Sequence, residues 1–195
     1  MGSEMCIRDR NLGDGSFGAK QIIDDDLAQV HCVHAADLDG DGDADVVASG
    51  YNDGTIVVYE NQGDASFSSA QVISTSFVPS TELTTVDIDG DDDLDILITE
   101  RSGGRIIIYE NFGDGTFAEE NDVGFIFYLS STDAADFDGD GTIDVVGAYG
   151  EMAYFQNLGN GAFGEQQVIT WGSNDTGATW SLRASDIDGL SLIHI

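Results

Sequence analysis

Asp37-Leu38-Asp39-Gly40-Asp41-Gly42-Asp43-Ala44-Asp45 constrains this chain most, because the pattern returns. It comes back as Asp87-Ile88-Asp89-Gly90-Asp91-Asp92-Asp93-Leu94-Asp95, and again as Asp136-Phe137-Asp138-Gly139-Asp140-Gly141-Thr142-Ile143-Asp144. A fourth copy opens at Asp186-Ile187-Asp188-Gly189 and is cut short. The starts lie 50, 49 and 50 residues apart. Such a period means an array of like units, each burying its apolar faces against its neighbours. Carboxylates at loop positions 1, 3, 5 and 9, with glycine among them, suit a hard cation that takes many oxygen ligands. Calcium is the natural candidate.

The two ends do not belong to this pattern. Met5-Cys6-Ile7-Arg8-Asp9-Arg10 can be encoded by ATGTGTATAAGAGACAG followed by one more base. The reverse complement of that string reads in frame as Leu-Ser-Leu-Ile-His-Ile, which is Leu190 to Ile195. The pair reads as a sequencing adapter translated at both ends. Residues 1–10 and 190–195 are therefore expected to be artefactual, with no part in fold or function. The natural sequence is expected to run over 11–189, with more of it missing on both sides, so no signal peptide can be sought. Cys6 and His194 drop out with the ends. Cys32 alone remains, which gives no internal disulfide and no cysteine-based metal site.

Net charge is −31, and the artefactual ends are neutral in sum (Glu4 and Asp9 against Arg8 and Arg10). Nucleic acid and anionic membrane surfaces would be repelled. Lys20 is the only lysine. The acids are mostly aspartates gathered in loops, unlike the Glu/Lys mixture of exposed helices. Apolar content of 41% is ordinary, so the acidity does not signal disorder. No apolar run reaches the length of a membrane span.

A second signature keeps step with the first. Asn11-Leu12-Gly13-Asp14-Gly15-Ser16-Phe17 recurs from Asn61 to Phe67, from Asn111 to Phe117 and from Asn157 to Phe163. Its Gly-Asp-Gly core is turn chemistry, because glycine, Asn and Asp tolerate positive φ. After each Asp loop comes a short apolar run: Val46-Val47-Ala48, Ile96-Leu97-Ile98 and Val145-Val146-Gly147-Ala148. Such runs predict strands buried on both faces. β-branched and aromatic strands follow at 55–59, 106–109 and 152–155, then weaker outer strands such as 70–73. No window has useful helical periodicity. Each unit thus holds about four short antiparallel strands, and radial repetition of such sheets makes propeller blades. A β-sandwich of short strands is the alternative, and the regular period argues against it.

The Asp-x-Asp-Gly-Asp-Gly-x-x-Asp loops, with the Asn-x-Gly-Asp-Gly-x-Phe turns, resemble FG-GAP/VCBS repeats, the blades of integrin-α-like propellers. The resemblance covers nearly all of 11–189. It implies an all-β partial β-propeller of about three and a half four-stranded blades from a ring of about seven. The blades are expected at roughly 27–76, 77–125 and 126–172, with a partial one at 173–189. The resemblance also implies the ligands. Asp37, Asp39, Asp41 and Asp45 would give side-chain oxygens, with the backbone carbonyl of Asp43. The second set is Asp87, Asp89, Asp91 and Asp95 with the carbonyl of Asp93. The third is Asp136, Asp138, Asp140 and Asp144 with the carbonyl of Thr142. About three Ca²⁺ sites result. Asp92 stands where the other loops carry Gly42 and Gly141, which predicts strain in the second loop. An EF-hand opens the same way but needs a bidentate glutamate at position 12 and flanking helices. Position 12 is Ala48 in the first loop and Ile98 in the second. Without an ion, carboxylates about 5 Å apart repel by roughly 3 kcal/mol per pair at an effective dielectric near 20.

These readings lead to a non-catalytic calcium-binding module of a secreted or cell-surface protein, acting in adhesion or ligand recognition. Its partners would be a protein or glycan ligand and the remaining blades of the same propeller. The alternative is a lectin-like or polysaccharide-lyase-associated propeller, in which Trp171, Trp180, Tyr51, Tyr128 and Tyr149 stack on sugar rings. Nothing resembles a nucleophile elbow, a P-loop or a Cys–His pair. His31 and His34, three apart on a strand, point to opposite faces and make no metal pair.

Overall fold

The apolar runs are strands with a neighbour on each side. In a computed structural model of the chain, residues 7–9, 11–27, 29–51, 54–64, 66–75, 80–100, 103–149, 151–159, 161–171 and 182–184 are described. The fourth Asp motif, most of the expected partial blade at 173–189, Trp180 and most of residues 1–10 and 190–195 lie outside them. Within them the fold is all-β. A two-residue ladder joins β1 (Ile7–Arg8), from the end expected to be artefactual, to β2 (Gln21–Ile22). Three four-stranded antiparallel sheets follow. The first holds β3 (Val30–Ala36), β4 (Asp45–Gly50), β5 (Thr55–Tyr59) and β6 (Gln71–Thr75). The second holds β7 (Ser80–Val86), β8 (Asp95–Glu100), β9 (Arg105–Tyr109) and β10 (Asn121–Phe125). The third holds β11 (Ser131–Ala135), β12 (Asp144–Ala148), β13 (Glu151–Phe155) and β14 (Gln167–Trp171). Each sheet is a meander in chain order, as in a propeller blade.

Alternation along the middle strands sends successive side chains into two different interfaces. Ile96 and Ile98 of β8, with Ile107 and Tyr109 of β9, pack against Leu38, Val47, Ile56 and Val58 of the first blade. Leu97, Ile106 and Ile108 of the same two strands pack the other way, against Ile126, Leu129, Val145, Ala153 and Phe155 around the third blade. The second blade is therefore buried on both broad faces. Each fully buried Ile or Leu there is worth roughly 1.5–3 kcal/mol in area removed from water. Gly147 permits the close fit: a Cβ on it would come within 2.7 Å of the Ile126 Cδ1 atom. The outer strand β6 is mostly exposed, which is why it reads weakly in sequence.

The first strand of each blade lies against that of the next, β3 beside β7 and β7 beside β11. The Asp loops join first to second strands, and the Asn-Gly turns join third to fourth. Both motifs thus sit at one end of the strands. The second-to-third turns and the crossings between blades sit at the other.

Candidate metal centre

Each Asp loop is bent by its own carboxylates. The Asp41 amide donates to Asp39 Oδ1 at 3.2 Å, and the Asp43 amide to Asp41 Oδ1 at 2.8 Å. The same bonds recur from Asp91 and Asp93 in the second loop and from Asp140 and Thr142 in the third. The position 1 carboxylate reaches across the loop to the amide at position 6. Those bonds run from Gly42 to Asp37 Oδ2, Asp92 to Asp87 Oδ2 and Gly141 to Asp136 Oδ2, at 3.0, 3.1 and 3.0 Å. Position 6 needs a left-handed backbone, with φ of 93° at Gly42, 75° at Asp92 and 91° at Gly141. Asp92 therefore holds a conformation that costs a side-chain-bearing residue roughly 1–2 kcal/mol, somewhat less for Asp.

These bends draw three carboxylates together in each loop. Oxygens of Asp37, Asp39 and Asp41 lie within 4.8 Å of one another, as do those of Asp87, Asp89 and Asp95, and those of Asp136, Asp138 and Asp144. Asp45, Asp91 and Asp140 stand outside these groups, so three of the four expected side chains converge in each loop. Position 7 side chains are turned elsewhere. Asp43 Oδ2 would sit 2.9 Å from a Cβ on Gly63 of its own blade's turn, Asp93 lies against Gly113, and Thr142 Oγ1 donates to Asp140 Oδ1 at 2.6 Å.

Position 9 has a second task. Asp95 is fully buried and accepts the Ile88 amide on Oδ2 at 2.9 Å and the Asn111 amide on Oδ1 at 2.8 Å. Asp45 does the same for Leu38 and Asn61, and Asp144 for Phe137 and Asn157. Burial pushes the Asp95 carboxyl up to about 6, with the like charges of Asp89 and Asp91 adding to it against the two amides. Burial also raises Asp45, Asp144 and Asp89.

The donor set suits a hard cation, since it is all carboxylate oxygen, and in the first loop it includes an orphan. Asp37 Oδ1 is buried and has no hydrogen-bond partner among the described residues, a state that costs free energy unless something binds there.

Other acids and bases have simpler roles. Asp24, Asp25 and Asp26, unremarked in sequence, also converge. Asp24 there caps a turn, accepting the Tyr59 hydroxyl at 2.7 Å and the Leu27 amide at 3.3 Å. Arg105 is held by Asp122 and Glu120 at 2.8 and 3.0 Å, and Arg183 by Glu82 at 3.2 Å. His31 is exposed against Tyr51, ring centroids 5.2 Å apart, while His34 is half-buried and its pKa is lowered by that burial. At the end of the strands away from the Asp loops, Phe127 meets Tyr128 at 4.4 Å and Tyr128 meets Tyr149 at 5.8 Å between ring centroids. Phe125 joins them, and Phe125, Phe127 and Tyr128 are each at least half exposed. Of Trp171 only the backbone is described, as the last residue of β14.

A repeat profile described as FG-GAP-like repeat matches residues 37–98 and, overlapping, 87–147. The chain belongs to the FG-GAP-like repeat family. No protein among the curated sequences matches it. Among solved structures, the chain is similar to a lectin of Agrocybe aegerita, described in recognition of non-reducing terminal N-acetylglucosamine. Identity is 23% and the TM-score 0.65, over 86% of this chain and 48% of the lectin. It is also similar to part of the Tc holotoxin pore of Photorhabdus luminescens, at 19% identity and TM-score 0.53, over 99% of this chain and 10% of that one. The chain spans about half of the first neighbour and a tenth of the second. At these identities the likeness concerns the fold.

Sequence reading passed over what the asparagines opening the second- and third-blade turns hold. Asn111 Nδ2 donates to Leu38 O at 2.7 Å, in the Asp loop of the preceding blade, and Asn157 Nδ2 donates to Ile88 O at 2.7 Å in the same way. The signal was present: Asn opens all four turns, while the next residue is Leu, Gln, Phe or Leu. It read as turn chemistry alone.

Proposed function

We propose that this chain is a calcium-binding FG-GAP-like repeat module of a secreted or cell-surface protein, without catalytic activity, that serves adhesion or ligand recognition. The observation that carries the reading is the convergence of three carboxylates in each of three like loops, with the buried, unpartnered Asp37 Oδ1 among them. Asp37, Asp39 and Asp41 would hold the ion in the first loop, Asp87, Asp89 and Asp95 in the second, and Asp136, Asp138 and Asp144 in the third. Bound calcium would supply positive charge where the chain concentrates negative charge, stabilising the loops rather than reacting. Open carboxylate sites of this kind have Kd of about 10⁻⁴–10⁻³ M, so they fill outside cells and stay empty in cytosol. Melting temperature in calcium, magnesium and chelator tests the reading. Calcium should raise it and magnesium should do little, since magnesium demands a tighter octahedral shell. Equal melting in calcium and chelator would end the proposal.

Carbohydrate recognition is the second reading. The exposed rings of Phe125, Phe127 and Tyr128, with Tyr149 beside them, favour it, and so does the N-acetylglucosamine-specific lectin among the structural neighbours. Aromatic faces of this kind stack on sugar rings. Binding on a glycan array that Tyr128→Ala abolishes would favour this reading; a blank array would leave a protein ligand.

A further inference from the structure

We propose that Asn111 and Asn157 are positioning residues that latch the first and second Asp loops to the blade that follows each, so that the state of one loop is felt by its neighbour. The side chain bridges two loops. Asn157 Nδ2 donates to Ile143 O in its own blade at 2.9 Å and to Ile88 O in the preceding blade at 2.7 Å, while its Oδ1 accepts the Gly159 amide at 2.9 Å. Asn111 repeats this with Leu94 O at 3.1 Å, Leu38 O at 2.7 Å and the Gly113 amide at 3.1 Å. Both side chains are buried, so every polar atom they own is spent on these contacts.

What they grip is the second residue of each loop, between its first two aspartates. Ile88 sits between Asp87 and Asp89; its amide is held by Asp95 and its carbonyl by Asn157. Asp95 in turn holds the Asn111 amide, and Asn111 holds the Leu38 carbonyl, whose residue's amide is held by Asp45. One line of buried bonds therefore runs Asp144, Asn157, Ile88, Asp95, Asn111, Leu38, Asp45 across three blades. It passes through the peptide units that carry the converging carboxylates without using an Asn atom as a ligand. A cavity of about 220 Å³, lined by Asp87, Asp89, Thr142 and Gly159 among others, borders the second latch. The first blade supplies its own control. Asn61 makes the same bonds within its blade, to Ala44 O and from the Gly63 amide, but reaches no second loop among the described residues and stays partly exposed.

Hydrogen exchange on the intact chain tests the latch. In chelator, Asn157→Ala should speed exchange at the Ile88 amide, and Asn111→Ala at the Leu38 amide, by roughly five- to tenfold, the worth of one buried hydrogen bond. Asn61→Ala should change only its own loop. The coupling to cation loading rests on the calcium reading above. In that arm the calcium concentration that half-protects the 87–95 loop should rise by a similar factor in Asn157→Ala, although no candidate ligand of that loop is altered. If Asn157→Ala does not fold, Asn157→Asp keeps the shape and the acceptor but loses the donor, and is read the same way. Wild-type exchange at Ile88 in either variant, with changes confined to the 136–144 loop, would overturn the latch. A wild-type chain that ignores calcium would instead retire the cation reading, and the chelator arm alone would decide the latch.

Discussion

Asp95→Asn separates the two tasks that fall on this carboxylate. Its folded-state pKa is about 6 against an ordinary value of 3.8, so at pH 7 the buried charge costs the cation-free fold about 3 kcal/mol. Asparagine removes that cost. It also replaces one acceptor by a donor, leaving the amide of Ile88 or Asn111 unmatched, a loss of about 1–3 kcal/mol. The two effects nearly cancel, so in chelator the variant should melt within a few degrees of wild type. In calcium it should not keep up. At ten times Kd each filled site adds about 1.4 kcal/mol, or roughly 3–6 °C in a chain of this size, and the variant forfeits the second site's share. Scanning calorimetry in calcium and in chelator reads both numbers. The pH dependence has a definite sign. A carboxyl whose folded pKa is raised contributes stability that is full below the unfolded value and is lost as pH rises through the folded one. In chelator, wild type should therefore lose ground to Asp95→Asn between about pH 4 and 6. A calcium-induced shift as large in the variant as in wild type would refute the assignment of Asp95 as a ligand, and a pH-independent difference would refute the buried-charge argument.

Asp138→Ala should remove about one of roughly three calcium equivalents in a calorimetric titration, because each cluster draws on a single loop; loss of all binding would mean that ligands are shared between loops. Asp92→Gly should relieve the left-handed strain at φ 75° and tighten the second loop for calcium, up to about fivefold if the whole of roughly 1 kcal/mol is released. An unchanged or weaker affinity would mean that attraction by the extra carboxylate outweighs the strain.

Local chemistry made most of the fold legible. Turn glycines at positive φ, alternation and the period near 50 residues announce strands and hairpins within a few residues of where they occur. The doubly buried runs at β8 and β9 were equally plain, because a strand between two blades must be apolar on both faces. Two things were not legible. Position 9 looked like one more ligand, yet Asp45, Asp95 and Asp144 also tie each loop to the turn of its own blade through backbone amides, which have no sequence signature. The bond from Asn157 to Ile88 joins residues 69 apart, and a partner at that distance leaves no trace beside the donor. Phe125 and Phe127 escaped notice because exposed aromatics at a crossing between blades follow no period.

The latch also sets a timetable for synthesis. The Leu38 carbonyl is capped by a side chain 73 residues downstream, and that of Ile88 by one 69 downstream. At roughly 5–20 residues per second, a ribosome takes about 4–15 s to make that stretch. Through that interval a finished blade has its own ladder of strands but an uncapped loop and one bare apolar face. Each blade is thus completed by its successor, and the nascent chain always carries one unfinished edge, at its most recent repeat.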